Sequence, residues 1–324
     1  MNSLPAEDIK NWIPWRLVNH SSNPMCQWLY AGDKSFTEPF FGDTISVCRN
    51  LYSSNKGYKV VSDLQVLSEW TNNMEAVAPA AIIFHVSRCG STLLSQLLGM
   101  DDANIVLSEV PFFDELLRIP FKKQPAENID VNACLIAAIK CYGQKRTGKE
   151  DRLFIKTDSW HLHFYPRLRT LFPLVPFILM YRNPFEVILS QQRQRGMQSV
   201  PGIIEPEVFD FTNEQTNQTN LDQYMTNVLT GYFNKMIEIT MADPLVLPVN
   251  YKEGINSIME KIAAFVGLNF TKETEKLFEE RSRYHAKHPK QLFEAEKADP
   301  VTPAYLKPVL QLYEQLDQLR VFKF

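Results

Sequence analysis

The chain has 324 residues, 45% hydrophobic and 22% charged, with 34 Lys and Arg against 37 Asp and Glu for a formal net charge of −3. That composition supports a large buried core in one α/β domain with elaborations and excludes a disordered or coiled-coil chain, while the acidic balance argues against a general nucleic-acid or membrane-surface binder, so any anion site must be concentrated. No basic-then-apolar leader opens the sequence, no apolar run reaches membrane-spanning length, and five cysteines form no C-x-x-C pair, so the expectation is a cytoplasmic protein with reduced thiols and no membrane span.

Residues 1–75 are rich in aromatic side chains, among them Trp12, Trp15, Trp28, Phe36, Phe40 and Phe41, and read as an accessory lobe packed on a main domain spanning 76–324. The lobe either shapes a substrate site or covers a sheet edge, and Phe36 to Asp43 reads as a loop or edge strand around Pro39. Ile82, Ile83, Phe84 and Val86 form the continuous apolar run of a strand buried on both faces. Ser87 to Thr92 is then a turn, and Leu93, Leu94, Leu97 and Leu98 make the stripe of a helix packed back on the sheet.

A strand, a tight turn with Gly90 and a helix opening at Ser91 and Thr92 converge backbone N–H groups at the positive end of a helix dipole, a seat suited to phosphate. Arg88 adds a planar cationic fork. A loop that hydrolyses Mg²⁺-ATP would need an earlier glycine and a lysine beside the hydroxyl residue, and both are absent. Cys89, in the turn, reads as a small filler ahead of a reactive thiol.

Asn104 to Pro111 predicts a second strand, whose end places Glu109 toward the crevice where ligands collect in open α/β sheets. Asp114 and Glu115 read as a solvated helix face, residues 121–130 as an exposed loop, and Ile129 to Tyr142 as a helix closed by Gly143. Arg152 to Asp158 is a third strand with Lys156 near its end, followed by helical spacing at Trp160, Phe164, Leu168 and Leu171. His161 and His163 do not have the spacing of a helical metal pair. Val175 to Tyr181 is the fourth strand and runs into Arg182, with Pro184 opening a helix that carries Ser190.

The polar stretch 191–221 reads as a lid over an acceptor site ahead of plain disorder. Gln223 to Met241 is a long helix with a core stripe, Leu245 to Tyr251 a fifth strand, and Ile255 to Val266 a helix closed by Gly267. The basic run Arg281 to Lys290 either completes an anion pocket or is a solvated loop, and Thr302 to Arg320 reads as a packing helix.

The run Ser87-Arg-Cys-Gly-Ser-Thr-Leu-Leu94 resembles the 5′-phosphosulfate loop of sulfotransferases that use 3′-phosphoadenosine 5′-phosphosulfate (PAPS), with Arg88 where many members have lysine. Arg182, proline two residues on and Ser190 eight residues on resemble that family's 3′-phosphate motif. The resemblance spans roughly residues 80–290, and the late strand, tyrosine and helix ending Phe265-Val-Gly267 fit it. It implies a three-layer α/β/α fold with a central parallel sheet, of the P-loop-like sulfotransferase type. It also implies PAPS as donor and 3′-phosphoadenosine 5′-phosphate (PAP) as product, and direct in-line transfer to a hydroxyl or amine acceptor without a metal. Arg88, Cys89, Gly90, Ser91 and Thr92 would hold the 5′ end, and Arg182 and Ser190 the 3′-phosphate.

Cytosolic members carry Lys-Thr-His at the end of the third strand, where this chain has Lys156-Thr-Asp158. The resemblance therefore implies Lys156 beside the sulfuryl group and leaves two carboxylates for the base, Glu109 preferred and Asp158 second, with Arg88 neutralising the leaving phosphate. The acceptor, a small molecule, sugar or lipid, and the oligomeric state are left open, and no nucleic-acid partner is expected. A phosphotransferase on a similar fold and a non-catalytic nucleotide binder are the alternatives.

Overall fold

Trp12–Val18 (β1) and Met25–Tyr30 (β2) pair antiparallel, and Val61–Asp63 (β3) adds to β2 to give a three-stranded sheet. The register sets Trp12 opposite Tyr30 and Leu17 opposite Cys26, with an irregularity between Pro14 and Arg16, where proline brings no N–H to the ladder. The computed structural model describes residues 9–18, 24–123, 129–282 and 302–323. Its chain divides into two units, Met1–Ala80 with Ser95–Lys156, and Ala81–Leu94 with Thr157–Phe324.

The helices in order are Phe41–Leu51 (α1), Leu64–Thr71 (α2), Ser91–Leu98 (α3), Pro111–Arg118 (α4), Val131–Tyr142 (α5), Tyr165–Leu171 (α6), Pro184–Arg193 (α7), Asn213–Thr216 (α8), Leu221–Ala242 (α9), Ile255–Val266 (α10), Lys272–Ser282 (α11) and Lys307–Lys323 (α12). Strands Pro79–His85 (β4), Asn104–Ser108 (β5), Arg152–Lys156 (β6), Phe177–Tyr181 (β7) and Val246–Asn250 (β8) form a five-stranded parallel sheet of order β5-β6-β4-β7-β8. Each leads into a helix, the alternation expected of an α/β chain. No described helix is long and apolar enough to cross a membrane.

In the first unit Trp28, Phe36 and Phe41 of the aromatic N-terminal stretch are core, while Trp12, Trp15 and Phe40 are half-buried. Phe41 and Phe113 meet the Tyr142 ring edge-on at 5.2 and 5.0 Å, and the Tyr142 hydroxyl donates to the Pro14 carbonyl. Phe36 to Asp43 is not an edge strand, because α1 already begins at Phe41, with Asp43 in its first turn, where a carboxylate favours the helix dipole. Gly143 does follow α5, but with φ −79° rather than a left-handed cap. What demands glycine there is close approach, since a Cβ would lie 2.7 Å from the Val77 carbonyl oxygen.

Asp114 and Glu115 are not a solvated pair. Asp114 is buried in an ion pair with Arg118 at 3.0 Å, and a Glu115 oxygen accepts the Leu17 N–H at the edge of β1. Burial pushes the Glu115 carboxyl up to about 7. A raised acid pKa means the folded state holds a proton that the unfolded chain releases from about pH 4.5 upward. Stability should therefore fall between about pH 4.5 and 7, by on the order of 3 kcal/mol, and Glu115→Gln should flatten that part of the curve in pH-dependent urea melts.

In the second unit every residue of β7 and β8 is buried, as runs covered on both faces require. The α9 stripe Tyr224, Val228, Tyr232, Phe233, Met236 and Ile237 is core, and Gly267 closes α10 in the left-handed region at φ +78°. Asp317 of α12 ties that helix to the strand ends, accepting from Asn250 Nδ2 at 2.8 Å, the Tyr181 hydroxyl at 3.1 Å and Arg320 Nε at 3.0 Å. The hydrogen bonds from Lys252, Asn250 and Arg320 outweigh burial and hold its carboxyl well below the usual range.

The stretch 191–221 contains two short 3-10 turns, Met197–Ser199 and Pro206–Phe209, and α8, and buries Ser199, Ile204, Val208 and Phe209. Of the basic run, Arg281 and Ser282 end α11, while 283–290 lie outside the described residues, as do 124–128 of the expected loop at 121–130.

Candidate functional site

In the second unit, β4 ends at His85 and the backbone turns sharply. Ser87, Arg88 and Gly90 take φ of +66°, +50° and +85°, and α3 starts at Ser91. Left-handed residues are costly for Ser and Arg, and turns of this kind gather successive backbone N–H groups around an anion. Two supports hold the turn. The His85 ring, 4% exposed, accepts the Ser87 N–H at Nδ1 (3.0 Å) and lies 2.9 Å through Nε2 from the Thr157 carbonyl. Those contacts set its tautomer, Nε2 carrying the hydrogen. Cys89 is fully buried with its thiol 3.4 Å from the Met180 carbonyl, so the side chain fills the turn.

Gly90 is forced twice over, by its positive φ and because a Cβ would sit 2.8 Å from the Tyr251 ring. Ser91 is buried at the helix start and Thr92 is half-buried beside it. The Arg88 guanidinium reaches the Gln194 carbonyl just past α7.

Arg182 lies just beyond β7, the parallel neighbour of β4. Its Nη1 donates to the Arg88 carbonyl at 3.2 Å, its guanidinium carbon stands 4.6 Å from the Tyr251 ring centroid, and its Nε pairs with Glu186 at 2.5 Å. The helix it introduces is capped by Asn183, whose side chain accepts the Phe185 N–H at 2.9 Å, and Pro184 occupies the first turn, where a missing N–H is harmless. Ser190 is half-buried two turns along α7. The two motifs read from sequence are thus in direct contact, with Tyr251 packed on both.

Asp158, also of this unit, precedes the 3-10 turn Ser159–Phe164, and its carboxylate stands 3.8 Å from His161 Nε2. His163 is a core residue. It packs on Phe209 and Tyr232 at 5.6 and 5.7 Å, and burial pushes it down to about 4.

The first unit places Glu109 and Lys156 together. They follow and end the paired strands β5 and β6, with Ser108 in register with Lys156, and the Glu109 N–H donates to the Lys156 carbonyl at 2.8 Å. The Lys156 side chain is fully buried, its Nζ in an ion pair with Glu109 Oε1 and 5.7 Å from the Phe40 ring centroid. Glu109 keeps 22% of its side chain exposed and adopts φ +57°. Left-handed backbone in a non-glycine residue is a conformation retained where surrounding structure imposes it, often at functional sites.

Three residues that position the site carried weak signals or none in the sequence. His85 shows only as a polar residue closing an apolar run. Glu186 looks like an ordinary i,i+4 partner of Arg182. Tyr251 stands at the expected strand end, but its packing on Gly90 and Arg182 needs the folded chain.

No family model and no curated protein sequence matches the chain. Among solved structures it is similar to the sulfotransferase STF9 from Mycobacterium avium, at 16% identity and a TM-score of 0.49 over 76% of this chain and 78% of that one. It is also similar to the mouse sulfotransferase SULT7A1 complexed with PAP, at 12% identity and 0.40 over 83% and 92% of the two chains. A third is retinol dehydratase in complex with androsterone and the inactive cofactor PAP, at 14% and 0.33 over 83% and 87%.

Proposed function

We propose that the chain is a sulfotransferase that takes a sulfuryl group from PAPS and passes it in line to a hydroxyl or amine of a small-molecule, sugar or lipid acceptor. The observation that carries this reading is the joining of its two motifs. The 87–92 turn and Arg182, 94 residues apart between Arg88 and Arg182, follow neighbouring parallel strands and are linked by the Arg182 to Arg88 hydrogen bond. Two adjacent anion seats of this kind suit a ligand with phosphates at two of its positions, which is what separates PAPS from ADP or ATP.

The residues fit such a ligand. Bare backbone at Gly90, where a side chain would meet the Tyr251 ring, lets a phosphate approach, and Ser91, Thr92, Arg88 and the Cys89 backbone complete the 5′ seat. Arg182 and Ser190 form the 3′ seat. Bound there, the donor supplies the sulfuryl group. Arg88 and the two hydroxyls neutralise charge growing on the phosphate side as the bond to sulfur breaks. We assign Glu109 the acceptor's proton and Lys156 the sulfuryl oxygens. Their ion pair keeps Glu109 oriented, and Asp158 is the second candidate for the base.

The test is a calorimetric titration of the purified protein with PAP, ADP and ATP, with and without Mg²⁺. PAP should bind without metal and at least tenfold tighter than ADP, about 1.4 kcal/mol. Preference for Mg²⁺-ATP would point to phosphoryl transfer instead, and binding of none of the three would overturn the reading.

A further inference from the structure

A cavity of about 690 Å³ opens in the first unit, between β1, β2, α1 and the segment 54–60. Its volume is in the range of small-ligand sites. The walls combine two chemistries. Trp12, Trp15 and Trp28, three of the chain's five tryptophans, lie in the wall, the first two half-buried and Trp28 4% exposed, and Arg16, Arg49, Lys56 and Lys59 supply four positive charges. No Asp or Glu stands among the lining residues. Glu115 lines an adjoining depression with Arg16 and Arg49, where it is engaged by the Leu17 N–H and feels the Arg16 charge.

The arrangement is unusual for a chain with net charge −3. Among the described residues none of these four, all exposed, makes an ion pair. The two arginines instead stand over one ring, with guanidinium carbons 5.2 Å (Arg16) and 5.8 Å (Arg49) from the Trp15 centroid. Tyr58, 95% exposed, stands at the rim of the cavity.

A further group points to a ligand. Gln27, on β2, is 7% exposed and lines the cavity, and its side-chain amide makes no hydrogen bond among the described residues. Its amide atoms are not among the buried polar atoms that lack a partner and so are open to the cavity, where an amide offers both donors and an acceptor. Hydroxyls are its natural counterparts. Two half-buried tryptophans, an amide matched to hydroxyls, and four cations with no acid in the same wall together suit a polyhydroxylated ring bearing negative charge.

We infer that this cavity binds an anionic saccharide, a sugar carrying carboxylate or sulfate groups, through its apolar face on the tryptophans and its charges on Arg16, Arg49, Lys56 and Lys59. A nucleic-acid strand fits less well. Such strands need a basic groove that tracks a backbone across several nucleotides, whereas here the charge is gathered around one cavity. The inference uses only residues of the first unit that take no part in donor binding, so it stands or falls separately from the sulfotransferase reading.

The test follows tryptophan fluorescence and calorimetry at low and physiological salt with four probes: a hyaluronan tetrasaccharide, a sulfated heparin tetrasaccharide, neutral cellotetraose and the oligonucleotide dT4. At least one acidic tetrasaccharide should bind and perturb the fluorescence, at least tenfold more tightly than cellotetraose, and weaken as salt rises. Arg49→Ala with Lys59→Ala, both at exposed positions, should cut that affinity at least tenfold with unchanged melting temperature and unchanged PAP binding. Gln27→Leu should weaken it with the charges intact. The inference is overturned if neither acidic tetrasaccharide binds, if cellotetraose binds equally, if dT4 binds more tightly, or if the double variant binds like the wild type.

Discussion

Replacing Arg182 with alanine is expected to weaken PAP binding by about 30- to 100-fold while changing ADP binding only a few-fold. A buried charge-assisted bond to phosphate contributes about 1.5 to 3 kcal/mol. The Arg182 side chain is only 12% exposed, so water screens its charge poorly. The discrimination, rather than the loss, is the informative quantity. Arg182 also braces the loop through the Arg88 carbonyl and the Tyr251 ring, and loosening that brace would weaken both nucleotides alike. Loss confined to PAP therefore assigns Arg182 to the 3′-phosphate. Arg182→Lys should fall between wild type and alanine, since it keeps the charge and loses the planar fork.

Glu186 gives this prediction a partner of opposite sign. Its carboxylate holds Arg182 Nε at 2.5 Å and is itself 37% exposed, so a 3′-phosphate on Arg182 would carry its charge toward a like charge. Glu186→Gln should tighten PAP binding by about three- to tenfold, most at low salt, where like-charge repulsion is least screened. Weaker binding in Glu186→Gln would mean that the carboxylate orients Arg182, and that orientation outweighs repulsion.

The parallel-sheet half of the fold was legible because each buried strand is a continuous apolar run ending in a marked residue: His85, Glu109, Lys156, Arg182 and Tyr251. The phosphate turn and the Arg182 motif were legible for the same reason, as chemistry concentrated at strand ends. The N-terminal 75 residues were not. Trp12 to Val18 alternates imperfectly, interrupted at Pro14 and Arg16, and the partners that bury it, Tyr142 and Gln144, lie more than 120 residues away. Glu115 looked solvated beside Asp114 because nothing local announces that β1 will cover it. Glu109's left-handed backbone carries no signal, since the sequence shows a glycine where one is needed and nothing where another residue is forced into that region. Gly143 caps α5 as read, but at φ −79°, so what demands glycine there is the close pass of the Val77 carbonyl, which the sequence does not announce.

The pairing of Glu109 with Lys156 poses the sharpest question about the chemistry, because an ion pair of this kind can be structural, catalytic or both. Its two members differ in exposure, and their variants should differ accordingly. Glu109→Ala strands a fully buried ammonium and should cost about 3 to 5 kcal/mol, the usual effect of breaking a buried pair. Lys156→Met leaves a carboxylate that is already 22% exposed and can be hydrated, so its cost should be nearer 1 kcal/mol, helped by a replacement that fills much of the same apolar volume. The double variant should melt close to Lys156→Met, with a coupling of about 3 to 5 kcal/mol in the cycle.

Activity separates the roles. If Glu109 takes the acceptor's proton, Glu109→Gln should lose about 100-fold or more in kcat with PAP affinity within about twofold, and the stable double variant should stay as inactive. If Glu109 serves only to neutralise Lys156, the double variant should recover the activity of Lys156→Met along with its stability. Stability and kcat measured on the wild type, the three single variants and the double variant decide between them. Double-variant activity equal to that of Lys156→Met, with Lys156→Met itself active, would move the base to Asp158 and leave Glu109 as the counterion of a buried lysine.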